Sequence, residues 1–209
     1  MISETALSWI TNQVPPLKAI PQGNVMAIGS RESLTYLLSA LEISIQIGSN
    51  LSYGFSEQID ENQDTICKTS WYSLINNPRL HHLIKFAQLS NPDPTILIVL
   101  DWLEPWKFIN ELKSALDSVE KYLPVSQQSK DDLEMFHKMY KDPSLNNIST
   151  TVFDFKMVPL QDAVLTNNLG KHIIIVCVNS QLLIETEEYS EHELDYIQMY
   201  LRTISLSCN

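Results

Sequence analysis

The turn after the first apolar run of the chain is the place where the sequence could do chemistry. That run ends at Gly29. A loop of the form G-x-x-x-x-G-K-[ST] after such a strand cradles phosphates with its amides, its lysine and its hydroxyl. Here the second glycine position holds Leu34, the lysine position holds Thr35 and the magnesium-binding hydroxyl position holds Tyr36. Leucine resists the left-handed backbone that glycine adopts, and tyrosine would project its ring towards the phosphates. The sequence therefore predicts a degenerate, closed phosphate loop.

Two further turns lack the residues that would complete a nucleotide site. A nucleotide-binding domain of this layout ends its third strand with D-x-x-G, but this chain has Ile75 and Asn76 there. Guanine recognition needs [NT]-K-x-D after a later strand, but the chain has Asn179 and, at the acidic position, Gln181. A neutral amide cannot replace the anionic acceptor that pairs with the guanine edge. We therefore expect no nucleotide cofactor.

Ser30 and Arg31 leave one alternative open at the first turn. Ser30 is suited to cap the next helix, but together with Arg31 and the helix amides it could instead hold an anion. The alternative function is therefore an atypical nucleotide-binding regulatory GTPase.

Other catalytic and metal-binding motifs are absent from the sequence. Residues 29–33 lack the G-x-S-x-G of serine hydrolases, and His81-His82 and Asp131-Asp132 lack the spacing of metal ligands. We predict neither enzyme activity nor a metal site.

Strand-like and helix-like segments alternate along the chain. Continuous or alternating apolar runs predict strands, and apolar residues three and four apart predict helices. The predicted strands are 24–29, 43–47, 65–74, 95–101 and 172–179, the predicted helices are 2–14, 30–41, 105–123 and 189–204, and 48–64 is predicted as a loop. This alternation implies right-handed crossovers and a GTPase-like α/β fold, with a doubly wound, mainly parallel sheet and helices on both faces. A final strand is expected after the last helix, beyond Asn209.

The sequence predicts two regions, each with candidate protein-binding residues. Residues 1–22 form an N-terminal amphipathic helix and linker, and residues 23–209 form the GTPase-like domain with a surface insertion at about 124–168. The sheet does not need the first helix, so Trp9 and Ile10 could dock on their own domain or on a partner. Trp102 and Trp106 either pack in the core or contact another protein, because large aromatic residues dominate both settings.

Composition and cysteine spacing exclude several classes of partner. The formal net charge of −11 repels the phosphates of nucleic acids, so we expect no nucleic-acid partner. The longest apolar runs, 96–100 and 173–178, are far shorter than the roughly 18 residues that cross a bilayer, so we expect no membrane insertion. Cys67, Cys177 and Cys208 are widely spaced, which predicts reduced core cysteines of a cytosolic protein.

Several stretches together resemble the light intermediate chain family of cytoplasmic dynein. The most specific is Leu165-Thr166-Asn167-Asn168-Leu169-Gly170, which lies between Val158-Pro159-Leu160 and the run Ile174-Ile175-Val176-Cys177. Further pieces match at the right distances: Leu83-Ile84-Lys85-Phe86-Ala87, Val99-Leu100-Asp101 with Pro105-Trp106, Glu188-Tyr189, and Glu191-His192 leading into Asp195-Tyr196-Ile197-Gln198. The chain differs from family members that keep a phosphate loop and a T-K-x-D element.

This resemblance implies a noncatalytic subunit of a minus-end-directed microtubule motor. Its pseudo-GTPase domain would bind and stabilise the dynein heavy-chain tail, with the other dynein subunits as indirect partners and the segment around Trp9 as a candidate contact. It further implies a location in the cytoplasm, on the microtubule cytoskeleton through the motor complex. The family's flexible C-terminal region, which engages cargo adaptors, corresponds to nothing in these 209 residues. A third hypothesis is an adaptor that never joins a motor.

Overall fold

The computed structural model describes residues 20–48, 50–61, 63–88, 93–125, 127–141, 164–181 and 189–208. The strands are β1 (Gln22–Gly29), β2 (Leu51–Ile59), β3 (Thr65–Ile75), β4 (Thr95–Asp101) and β5 (Ile173–Val178). The α-helices are α1 (Arg31–Ala40), α2 (Phe108–Tyr122), α3 (Gln127–Lys141) and α4 (Glu191–Cys208). Two 3₁₀ segments span His81–Gln88 and Pro105–Lys107. The predicted helix over 2–14 lies outside the described residues.

The five strands form one sheet in the order β2-β3-β1-β4-β5. The pairs β1–β3, β1–β4 and β4–β5 are parallel, and β2 pairs antiparallel with β3. Strand β4 lies between two parallel neighbours, and its five central residues are buried, as its continuous apolar run predicts. The predicted doubly wound, mainly parallel α/β fold is confirmed.

Apolar side chains cover the two faces of the sheet unequally. On one face, α2, α4 and the 3₁₀ segment His81–Gln88 pack over the even-numbered residues of β1 and β4 and form the larger core. On the other face, Leu34 and Leu37 of α1 pack over Ala27, Leu97 and Val99. Alternate residues of a strand point to opposite faces, so one run of apolar residues serves both layers. Helices therefore lie on both faces, as predicted.

Serine caps define where two of the helices begin. The Ser30 hydroxyl accepts a hydrogen bond from the Ser33 amide at 3.1 Å, which satisfies an amide in the first turn of α1. At α4, the Ser190 amide donates to Glu193 Oε2 at 2.9 Å while the Glu193 amide points at Ser190 Oγ at 3.4 Å. This is the capping box that the sequence S-x-x-E favours, and its bonds lower the pKa of the Glu193 carboxyl.

The predicted strand over 43–47 and the predicted loop over 48–64 are both wrong, because the strand of this region is β2, inside the predicted loop. Ile43 is buried and Ile45 half-buried, which reproduces the expected alternation, but the Ile43 amide bonds the Leu38 carbonyl behind α1 at 2.8 Å. Ile45 lies over β2, where a Cβ added to Gly54 would come within 2.3 Å of Ile45 Cγ1. The alternation therefore reflects packing against β2 and not membership of a strand.

Within the predicted insertion, 124–168, the structure describes α3 and the residues that lead into β5. Leu133 is buried, whereas Phe136 is exposed and lies edge-on to His137 and to His172. The Asn168 amide group donates to the Lys130 carbonyl at 3.1 Å. These contacts pack α3 against the start of β5.

The structure also tests the expectations about the cysteines, membrane-spanning helices and metal sites. Cys67, Cys177 and Cys208 are free thiols, but only Cys208 is fully buried, so the core placement of the other two is corrected to half-buried. Burial raises the pKa of the Cys177 thiol to about 11. Among the described residues, no helix is long and apolar enough to span a membrane, and no group of three or more potential ligands could hold a metal ion.

Candidate functional site

The carboxyl ends of the parallel strands bring the three degenerate motifs to one edge of the sheet. Strand β1 ends at Gly29, β3 at Ile75, β4 at Asp101 and β5 at Val178. In doubly wound sheets ligands bind outside this edge. Because the strands are parallel and in register, the turns that follow β1, β3 and β5 all lie there. The three degenerate motifs therefore lie at one edge of the sheet.

A single residue connects β1 to α1. Gly29 is the last residue of β1, Ser30 is extended with ψ 161°, and α1 begins at Arg31. A phosphate loop needs several residues outside the helix so that their amides can surround the anion. Here three of the four residues between the two glycine positions of the motif, 31–33, are already helical, so the chain has no loop at this turn.

Leu34 fills the space beneath the start of α1. Its side chain is fully buried and belongs to the smaller core with Ala27 and Val99. The sequence predicts that leucine acts by resisting a left-handed backbone, but Leu34 is helical, so the reason is corrected to side-chain volume. Tyr36 is 49% exposed on α1, and the Thr35 hydroxyl donates to the Arg31 carbonyl at 2.8 Å.

Gly29 contacts the residue after β3 on one side and β4 on the other. Its carbonyl accepts the Asn76 amide at 2.8 Å, and a Cβ at this position would lie 2.8 Å from the Val99 carbonyl oxygen. A distance below 3 Å to a backbone oxygen leaves no room for a side chain. Glycine is therefore required here by the close approach of β4.

A polar cluster occupies the turn after β3. The Asn76 side chain donates to the Glu111 carbonyl at 3.2 Å, and its Oδ1 bonds His81 Nε2 at 3.0 Å. His81 is buried, and its Nδ1 contacts the Ser118 hydroxyl. Burial lowers the pKa of His81 and so favours its neutral ring, in which Nε2 donates to Asn76 Oδ1 because an amide oxygen only accepts. The position of the magnesium-organising acid thus serves to hold α2 against the sheet.

The turns after β4 and β5 are tied to each other. Asp101 Oδ1 accepts hydrogen bonds from the Asn179 side chain at 2.9 Å and from the Leu103 amide at 3.0 Å. Asn179 has φ +61°, a left-handed conformation that asparagine tolerates better than most residues. Gln181, at the acidic position for guanine recognition, is exposed. The Asn179 side chain is engaged within the protein.

The two described tryptophan candidates have different environments. Trp102 is 6% exposed and packs edge-on against Phe108, with ring centroids 5.2 Å apart, so it is a core residue and offers little surface to a partner. Trp106 is 65% exposed. Trp9 and Ile10 lie outside the described residues.

Two neighbours of Trp106 are exposed apolar residues that the sequence pattern does not single out. Leu103 and Ile109 are 50% and 59% exposed. The available signal was their spacing of three residues on either side of Trp106, which separates them from the buried series Phe108, Leu112 and Ala115.

Comparison with known proteins decides the family. A family model described as dynein light intermediate chain matches residues 18–209. The chain belongs to the dynein light intermediate chain family. It is 24% identical over 213 residues to cytoplasmic dynein 1 light intermediate chain 1 of Dictyostelium discoideum, covering 75% of this chain and 42% of that protein. It is 26% identical over 221 residues to the Mus musculus protein of the same name, covering 90% of this chain and 41% of that protein.

A solved structure supports the fold of this light intermediate chain family member. The crystal structure of the dynein light intermediate chain's conserved domain matches with a TM-score of 0.66 and 23% identity, covering 90% of this chain and 66% of that one. At this identity the match shows a shared fold. The chain spans about two fifths of the length of the curated relatives it matches, 42% and 41% for the two named above.

The stretch that best carries the family resemblance joins the last helix to the sheet. Three amides of this stretch bond the last carbonyls of α4: Leu165 bonds Leu206 at 2.8 Å, Asn167 bonds Ser207 at 2.8 Å, and Leu169 bonds Cys208 at 3.4 Å. A helix leaves its last four carbonyls without partners inside the helix. Residues 165–169 supply partners for three of them and then lead, through Gly170, into β5. The motif therefore has a structural role in this fold.

Proposed function

We propose that this chain is a noncatalytic subunit of the cytoplasmic dynein motor complex. In this proposal it is a pseudo-GTPase scaffold that binds and stabilises the dynein heavy-chain tail and so supports minus-end-directed transport along microtubules. Its place is the cytoplasm, on the microtubule cytoskeleton through the motor complex. Membership of the light intermediate chain family supports the proposal. The relatives carry the name of a cytoplasmic dynein subunit.

The observation that carries the pseudo-GTPase part is the one-residue connection between β1 and α1. A bound triphosphate needs a ring of amides and a lysine, but here a helical turn and the buried Leu34 occupy that position. Adding a lysine would not create the missing loop. The proposal therefore includes no nucleotide and no metal cofactor.

A scaffold role fits the way this domain is built. The parallel strands β1 and β4 are buried at the centre of the sheet and packed by helices on both faces. Such an interior fixes the shape of the domain, because close-packed side chains leave little freedom to deform. A partner that docks on the outside then meets a pre-formed surface, which reduces the entropy lost on binding.

Two measurements on the purified native chain test the proposal. Denaturation followed by chromatography should release no nucleotide in stoichiometric amount, and the chain should co-purify with a helical tail fragment of the heavy chain. Stoichiometric guanine nucleotide would overturn the pseudo-GTPase part. Failure to retain the tail fragment would overturn the subunit part and favour an adaptor outside the motor.

Calorimetric titration with GTP and Mg²⁺ separates this proposal from an atypical regulatory GTPase. That alternative would use Ser30, Arg31 and the first amides of α1. The Ser30 hydroxyl already accepts the Ser33 amide, and the Arg31 guanidinium donates to the Ile47 carbonyl at 3.4 Å. We therefore expect no heat of binding. A saturable signal that Arg31→Ala removes would favour the alternative.

Trp9 and Ile10 remain a second candidate contact for the heavy chain. The sequence places them on the apolar face of an amphipathic segment ahead of β1. Retention of the tail fragment by Trp9→Ala and Ile10→Ala variants, compared with the unmodified chain, tests this contact. Unchanged retention would exclude the N-terminal segment as an anchor.

A further inference from the structure

Three large apolar side chains project from the segment between β4 and α2. Leu103, Trp106 and Ile109 are 50%, 65% and 59% exposed, and consecutive members are three residues apart. The backbone here is a turn, then the 3₁₀ segment Pro105–Lys107, then the first turn of α2. Residues three apart lie on the same side of such a backbone. We call these three side chains the Trp106 ridge.

The backbone beneath the Trp106 ridge is held in place. The Leu103 amide donates to Asp101 Oδ1 at 3.0 Å, the Glu104 amide to the Asp101 carbonyl at 2.9 Å, and the Lys107 amide to the Glu104 carbonyl at 2.9 Å. On the inner side, Trp102 and Phe108 stack edge-on inside the core. A fixed apolar projection loses little conformational entropy when a partner covers it, which is the property of binding hot spots.

The charges around the Trp106 ridge are mainly negative. The Lys107 ammonium bonds Glu104 Oε1 at 2.6 Å, and this bond, with the nearby carboxylates of Glu111 and Asp101, raises the pKa of that lysine. Three carboxylates around one ammonium leave an acidic surface. The formal charge of −11 on the whole chain adds to this field. Complementary potentials guide partners to such surfaces, so the matching segment is basic.

We propose that the Trp106 ridge docks a helix of the heavy-chain tail whose contact face is apolar and whose flanks carry lysine or arginine. The inference rests on the proposed function, because it names the surface that the heavy chain would occupy. The Trp106 ridge follows the carboxyl end of β4 in the chain. A nucleotide would bind at this edge of the sheet in a working GTPase. The edge that has lost its ligand site thus becomes a protein interface.

Affinity for an immobilised heavy-chain tail fragment tests the Trp106 ridge. We compare the full chain with Trp106→Ala and with the control Phe55→Ala, which removes a 66% exposed aromatic side chain on β2, at the far end of the sheet. Trp106→Ala should weaken binding at least about tenfold, as truncation of a hot spot does, whereas Phe55→Ala should stay within about twofold. Circular dichroism and Tm show that each variant is folded; Trp106→Gln replaces Trp106→Ala if the latter is not.

The results of this binding experiment distinguish failure of the Trp106 ridge from failure of heavy-chain binding itself. If the unmodified chain binds the tail but Trp106→Ala binds equally well, the heavy chain docks elsewhere and only the ridge is excluded. If Phe55→Ala weakens binding as much as Trp106→Ala, the ridge is not the specific surface. If the unmodified chain does not bind, the proposed function and the ridge are both excluded.

Salt dependence tests the basic character of the partner. Raising the ionic strength should slow association of the unmodified chain, and Glu104→Gln combined with Glu111→Gln should reduce that dependence. Binding that is insensitive to salt, or that the double variant leaves equally sensitive, would show that the partner helix is not basic.

Discussion

At Gly29 the backbone of β1 passes close to that of β4. A Cβ added there would lie 2.8 Å from the Val99 carbonyl oxygen and 3.0 Å from Val99 Cβ. Neither atom is the end of a flexible side chain, so a methyl group would push the strands apart. The glycine is thus retained by packing, although the rest of the phosphate motif is absent.

Gly29→Ala should lower the free energy of unfolding by about 1–3 kcal/mol, the usual range for overpacking a core. Urea unfolding monitored by tryptophan fluorescence measures the change. Gly23→Ala is the matched control in the same strand, because its nearest neighbour, Thr69 Oγ1, is 3.6 Å away and leaves room for a methyl group. Equal stability of the two variants would show that the close approach to β4 is not rigid.

His81 should make the stability of the domain depend on pH. Burial lowers its pKa below the ordinary value of 6.5. Between the lowered pKa and 6.5, the unfolded chain binds more protons than the folded chain, so the free energy of unfolding rises with pH in this window. The contribution is complete above about 6.5 and is lost as the pH falls below it.

Urea unfolding over a pH series, for the unmodified chain and for His81→Gln, tests this expectation. The variant should lose less stability between pH 6.5 and the lowered pKa, because it has no imidazole to protonate. His82→Gln, at an exposed neighbouring position, should keep the pH dependence of the unmodified chain. Parallel curves for all three proteins would exclude His81 as the source.

Two separate features of the sequence indicate that the loop after β1 is absent. Ser30 is predictable as a helix cap, and Gly29 as the end of a strand, which together leave one residue for the connection. Counting motif positions to Leu34, Thr35 and Tyr36 instead treats those residues as a loop. The burial of Leu34 depends on contacts with β1 and β4, and a motif count does not contain these contacts.

Among the elements, β4 was predictable and β2 was not. The continuous apolar run of β4 matches burial on both faces of a parallel sheet. In β2 the usual pattern is inverted: Tyr53 and Phe55 face solvent, while Ser52 is buried and Gly54 lies under Ile45. Small residues face inward because the segment after α1 covers them closely. A prediction based on apolar alternation therefore selects 43–47, the covering segment, in place of the strand.

The element that carries the family resemblance also makes a testable contribution to stability. Asn168 bonds the Lys130 carbonyl at 3.1 Å through Nδ2 and accepts the Gly170 amide at 2.8 Å through Oδ1. Asn168→Ala removes both bonds, so the free energy of unfolding should fall by about 1–2 kcal/mol. Asn110→Ala, at an exposed position of α2, should be neutral or slightly stabilising because alanine favours helix.

Hydrogen exchange locates the effect of Asn168→Ala. The Leu165 and Asn167 amides donate to the end of α4, and loss of the Asn168 bonds should lower their protection. Protection equal to that of the unmodified chain, together with unchanged unfolding, would show that this turn is held by other contacts.

The carboxyl edge of the sheet determines which ligands the whole molecule can still bind. The turns after β1, β3 and β5 are engaged with the protein itself: Ser30 caps α1, Asn76 holds α2, and Asn179 bonds Asp101. All three contacts lie at one edge of the sheet. Together they occupy, with hydrogen bonds inside the protein, polar groups that could otherwise bind a ligand. A molecule built in this way should not be stabilised by nucleotide.

Thermal unfolding of the whole domain in the presence of GTP and Mg²⁺ tests whether nucleotide stabilises it. A site with a Kd of about 1 μM would, at about 1 mM ligand, add about 4 kcal/mol of stability and raise Tm by roughly 8 °C or more in a domain of about 200 residues. We expect a shift below about 1 °C. Sodium tripolyphosphate at equal ionic strength is the control for an anion site at the start of α1. A shift with tripolyphosphate alone would place an anion at Ser30 and Arg31, and a larger shift with GTP than with tripolyphosphate would mean that the edge still recognises nucleotide.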